Sequence, residues 1–107
     1  MDVPLCGSIK NRHYDIANKT SFVINSTNYS YTADKNVLLV INSNSNVNSY
    51  IYGSLEPDVS NNGCLMVTHT VNGYGGVNDK IELHAGETIY FITDSANAWK
   101  GTVIPIV

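Results

Sequence analysis

The side chains that bind metals and move protons are dispersed along this sequence. Its three histidines, His13, His69 and His84, stand at no zinc-motif spacing from one another or from Cys6 and Cys64, so no metal centre is expected. No Gly-x-Ser-x-Gly elbow presents a serine nucleophile, although a Ser/His/Asp triad is recognised by geometry and not by spacing. Paired carboxylates for glycoside hydrolysis would have to come from Glu56, Asp58, Asp79, Glu82, Glu87 and Asp94, all in surface-like contexts. The expectation is a protein that is not an enzyme and carries no cofactor.

Recognition chemistry is easier to find. The stretch Val71-Asn72-Gly73-Tyr74-Gly75-Gly76-Val77-Asn78-Asp79 lacks the Gly-Lys-Ser/Thr ending of a phosphate loop. Its Tyr74, flanked by Asn72 and Asp79, suits a sugar: the ring stacks on a C–H face while amide and carboxylate meet hydroxyls. The competing reading is a plain β-loop in which Asn72-Gly73 makes the turn. Tyr50 and Tyr52 share one face of a strand, either as a packed core or interface pair or as a binding platform. Trp99, which follows Ser95-Ala96-Asn97-Ala98, either stacks on a ligand or anchors the last strand. Asn72, Tyr74, Asp79, Trp99, Tyr50 and Tyr52 are therefore the ligand-binding candidates.

These residues belong to a chain of 107 residues, the size of one domain. Such a length buries roughly two-thirds of its unfolded surface, enough for one core. Only 14% of residues are charged, the net charge is -3, and the six Lys and Arg are scattered. Without a basic stripe, no nucleic-acid partner is expected. The longest unbroken apolar run, Val37-Leu38-Leu39-Val40-Ile41, falls far short of the ~20 residues of a membrane span, so no membrane insertion is expected. Met1-Asp2-Val3-Pro4 has neither a basic n-region nor a long apolar h-region; a mature fragment, or a product released by lysis, fits that start. The wealth of Asn, Ser and Thr is typical of virion or extracellular β-proteins. It also makes the sequons at Asn18, Asn25 and Asn28 expected chance matches. Cys6 and Cys64 are either a bridge or buried free thiols.

Asn and Ser recur too often for a long helix, and no ten-residue segment keeps a helical period. One short turn fits between Lys10 and Lys19. Strands are expected at Ser21–Ile24, Ser30–Thr32, Val37–Ile41, Tyr50–Leu55, Cys64–Thr70, Lys80–His84, Thr88–Thr93 and Gly101–Val107, separated by Asn- and Gly-rich segments. Short strands at this spacing predict an all-β fold, an antiparallel sandwich or barrel. Val37–Ile41 and Cys64-Leu65-Met66-Val67 do not alternate, which predicts that both their faces are covered, the second by another subunit. The apolar ending Thr102-Val103-Ile104-Pro105-Ile106-Val107 is expected to pack inside the sandwich or against a neighbour.

Two segments carry a resemblance. Leu83-His84-Ala85-Gly86-Glu87-Thr88-Ile89-Tyr90-Phe91 resembles the Leu-x-x-Gly-Asp-x-Val strand–turn–strand of trimeric jelly-roll domains, among them C1q and tumour-necrosis-factor type modules and the tip domains of bacteriophage tail fibres. Tyr29-Ser30-Tyr31-Thr32-Ala33-Asp34-Lys35-Asn36-Val37-Leu38-Leu39-Val40 resembles the aromatic-Thr-Ala-x-x-x-Gly-apolar opening of phage fibre heads, with Asn36 where a glycine is usual and Glu87 where an aspartate is usual. The resemblance spans about residues 20 to 107. It implies a jelly-roll β-sandwich at 20–107, with 1–19 as connector or oligomerising segment of a longer fibre. It further implies a homotrimer in a virion that attaches to a cell-surface glycan or protein receptor. The alternatives are a structural capsid or tail decoration protein without a receptor role, and a small secreted lectin-like or glycan-active module.

Overall fold

The computed structural model describes residues 13–44, 48–59, 66–70 and 79–107, with backbone alone for 66–70. A 3-10 turn at Ile16–Asn18 precedes eight strands: β1 Thr20–Ile24, β2 Asn28–Thr32, β3 Val37–Ser43, β4 Ser49–Ser54, β5 Met66–Thr70, β6 Asp79–Leu83, β7 Thr88–Thr93 and β8 Trp99–Pro105. Each expected strand is present, shifted at its ends by a few residues. Cys6 and Cys64 lie outside the described residues.

The strands form two four-stranded antiparallel sheets, ordered β1-β8-β3-β6 and β2-β7-β4-β5. The pairs β1·β8, β2·β7, β3·β6 and β4·β5 are the rungs of one long hairpin. Rolling that hairpin up brings β8 beside β3 and β7 beside β4. This is the jelly-roll order. The fold is thus an all-β sandwich.

Strand periodicity sorts the side chains. Along β3, Val37, Leu39 and Ile41 are fully buried while Leu38 and Val40 are half-buried. The inward set joins Ile24, Ile51, Leu83, Ile89, Phe91 and Trp99 in one core between the sheets. The outward Leu38 meets Glu82 and Ile104, and Val40 meets Lys80 and Thr102. The unbroken apolar run is therefore half core and half outer face. Glu82 stands on that outer face yet is only 4% exposed. The cause is Tyr14, whose hydroxyl donates to Glu82 Oε2 at 2.6 Å. The segment before β1 is docked by backbone bonds, Asp15 N–H to Pro105 O at 2.8 Å and a Tyr14–Ile106 bridge. At the apolar ending, Val103 and Ile104 are buried and Val107 is exposed.

The two segments that carry the resemblance meet at one end of the sandwich. His84 O accepts from Glu87 N–H at 3.0 Å, closing a turn with Gly86 at φ +90, the third position that a type II turn reserves for glycine. Gly86 N–H donates to Ala33 O at 2.7 Å, and Ala33 N–H to Glu87 O at 2.9 Å. Asn36 is not in the left-handed region; the non-glycine residue found there, among those described, is Asn97 at φ 68. Instead the Asn36 side chain accepts from Ala85 N–H at 3.0 Å. Glu87 uses its carboxylate likewise, accepting from His84 N–H at 2.6 Å.

Candidate recognition surface

On β4 the burial alternates, with Ile51 in the core and Tyr50 and Tyr52 half-buried on the opposite, outer face. The two rings lie 5.0 Å apart at 35°, within the range at which aromatic pairs attract. Tyr52 is cross-strand to Ile92 of β7, and Ile92 in turn to Asn28 of β2; the next rung joins Ser54, Tyr90 and Ser30. Side chains two apart on a strand share a face, so Tyr90, Ile92, Asn28 and Ser30 stand beside the tyrosine pair.

A wall rises along this face. Ser54 Oγ accepts from Glu56 N–H at 3.1 Å, bending the chain out of β4 so that Pro57, Asp58 and Val59 pass over the sheet. Between them and β2 and β7 lies a groove of about 360 Å³, in the range of small-ligand sites.

Trp99 is fully buried, so its ring offers no face to a ligand. It anchors β8, and it also sets the start of β4. Its indole N–H donates to Ser49 Oγ at 2.9 Å, and Ser49 Oγ donates to Asp94 Oδ1 at 2.6 Å. The same carboxylate accepts from Tyr50 N–H at 3.1 Å, and Thr93 Oγ1 donates to Tyr50 O at 2.7 Å. Trp99 thus positions Tyr50 through a chain of hydrogen bonds that runs from its buried indole to the exposed Asp94 carboxylate. Asp79 opens β6 on the other sheet, opposite Ile41. Asn72 and Tyr74 lie outside the described residues. Of the six sequence candidates, Tyr50 and Tyr52 come together.

Three of the six carboxylates considered for catalysis have structural partners here: Glu82 accepts from Tyr14, Glu87 from His84 N–H, and Asp94 from Ser49 and Tyr50. No three of His, Cys, Asp and Glu among the described residues stand together as a metal-binding group. A second groove of about 340 Å³ opens between β1 and the β2–β3 turn, lined by Tyr31, Asp34 and Lys35 among others. There burial, with the Asp34 carboxylate second, raises the Tyr31 phenol above its ordinary value. Charges of both signs line it, and the tyrosine that lines it is stacked on Phe22, whereas the Tyr50–Tyr52 pair lies on the outer face beside the first groove, which is therefore the stronger candidate.

Sequence reasoning missed Asn28, Ser30, Tyr90 and Ile92. The alternation in Thr88–Thr93 puts Tyr90 and Ile92 on one face, but only the strand order places that face beside Tyr52. No family model, curated protein or solved structure matches the chain. Its own surfaces therefore carry the functional reading.

Proposed function

We propose that this chain is a non-enzymatic attachment module, the trimeric jelly-roll head of a phage or phage-like fibre, which contacts a glycan on a host surface. The observation that carries the reading is the half-buried Tyr50–Tyr52 pair on an outer sheet face beside a groove. The pair holds two ring faces partly open to solvent, and sugar C–H faces stack on such rings. Two further features support it. The turn segments resembling those of fibre heads pack on one another, and the opposite outer face carries half-buried Leu38 and Val40, suited to contact with further copies.

The test is glycan-array binding together with competition for adsorption to host cells. An attachment module binds a defined set of glycans and, added in excess, blocks adsorption. A decoration protein of the same fold does neither, and that outcome would reject the receptor role.

A further inference from the structure

The outer face of the first sheet is not uniformly apolar. Toward its β1 edge, Lys19, Thr20, Ser21, Lys100 and Thr102 line a cavity of about 260 Å³. The register explains why they meet. Ser21 and Thr102 are cross-strand partners and share the outer face. Lys100, two residues before Thr102, lies on that face as well. So does Lys19, whose extended backbone at φ -65 and ψ 148 continues β1 backwards. The two lysines thus flank the hydroxyl pair diagonally, one rung to either side.

We infer that this cavity binds one tetrahedral oxyanion, a phosphate or sulfate group. The site lies on the other sheet from the tyrosine pair and is independent of the attachment reading. Its donors point to the ligand class. Each lysine ammonium brings three N–H donors, and Thr20, Ser21 and Thr102 bring a hydroxyl each. Hydrogen bonds from ammonium groups to phosphate oxygens are charge-assisted and belong to the stronger kind. Size agrees: about 260 Å³ lies below the roughly 300–1,000 Å³ of small-molecule sites, so the cavity suits one compact group better than a whole ligand. The positive charge is local, in a chain of net charge -3. On this sheet Asp79 and Glu82 belong to β6, two strands beyond β8, and Glu82 accepts from Tyr14. Asp15, four residues before Lys19, accepts from Asn18 Nδ2 at 2.8 Å. Outside the described residues the sequence holds one acidic side chain, Asp2, against the cations of Lys10 and Arg12.

The experiment titrates the full chain with sodium phosphate, sodium sulfate, methyl phosphate and sodium acetate near neutral pH, following backbone amide shifts. Ionic strength is held fixed so that screening does not change along the titration. Phosphate is expected to move the amides of Ser21, Lys100 and Thr102 along a saturating curve. Lys19→Gln and Lys100→Gln are each expected to weaken it roughly threefold, the scale of one exposed ion pair, and the two together to abolish saturation. The curve of the unaltered chain decides the site even if a variant folds poorly. Methyl phosphate binding as phosphate does would assign the group to a larger molecule, and exclusion of the ester would leave the free ion as the ligand. Acetate binding as tightly as phosphate would overturn the tetrahedral class. Shifts that rise linearly with every salt, or that both lysine variants leave unchanged, would overturn the site.

Discussion

Gly101 lies under the ring of Phe22, its cross-strand partner on β1. A Cβ built there would stand 2.4 Å from the Phe22 ring tip and under 3.0 Å from both flanking atoms. The ring cannot swing aside freely, because it is stacked against Tyr29 at 5.5 Å and Tyr31 at 5.1 Å. Replacing a strand glycine with alanine ordinarily gains about 0.5–1 kcal/mol. Overpacking a fixed neighbour costs about 1–3 kcal/mol, and here the cost should prevail. Gly101→Ala is expected to lower the denaturation midpoint by a net loss of about 1–2 kcal/mol. Combining it with Phe22→Leu should recover part of that loss, as contacting sites couple. A variant as stable as the parent would show that the ring is loose. Nothing in the sequence marks this contact, since Phe22 and Gly101 are neighbours only through the rolled-up hairpin. The same holds for Glu82, whose place in an alternating strand predicts exposure and which Tyr14 covers from far along the chain. Trp99 was legible as either of two things, and burial selects the anchor.

At the level of elements, far more could be read in advance. Eight strands fall where apolar and β-branched residues cluster between Asn- and Gly-rich segments, because the sandwich needs an inward side chain at every second position. Strand order is a different matter. It follows from long-range pairing such as Thr20 with Val103, and no local pattern encodes it. The turn at Ala85-Gly86 is the exception where local sequence fixes geometry. Gly86 has φ +90 and open space around its Cα, so substitution there tests backbone strain without a packing term. Gly86→Ala is expected to cost about 1 kcal/mol, and Gly86→Asn less, because asparagine tolerates the left-handed region. Equal costs in thermal or urea unfolding would mean that something other than φ holds glycine at this corner. Asn36 shows how a departure from a familiar pattern is absorbed. Its side chain ties the two turns together by accepting from Ala85 N–H, and its backbone stays out of the left-handed region.

For the whole molecule, the two outer faces are chemically unlike. The second sheet presents tyrosines, hydroxyls and a carboxylate. The first presents Leu38 and Val40, both half-buried, with Val23 at 39% exposure on the edge strand. In the proposed homotrimer, covering the Leu38, Val40 and Val23 side chains of this face contributes roughly 25 cal/mol per Å² of apolar area removed from water. Val40 offers a clean probe because Lys80 sits cross-strand to it. In a single chain, Val40→Glu places opposite charges side by side, which a sheet accepts. In an interface it takes that carboxylate and Lys80 out of water together, at a cost of several kcal/mol. The parent chain is therefore expected to scatter light with about three times the 11.7 kDa chain mass. Val40→Glu should scatter as a single chain, with an unchanged far-ultraviolet circular dichroism spectrum. Tyr52→Ala, on the opposite face, should remain trimeric while losing glycan affinity. A parent that is monomeric at micromolar concentration would remove the trimer from the proposal. A trimer that survives Val40→Glu would move the interface to another face.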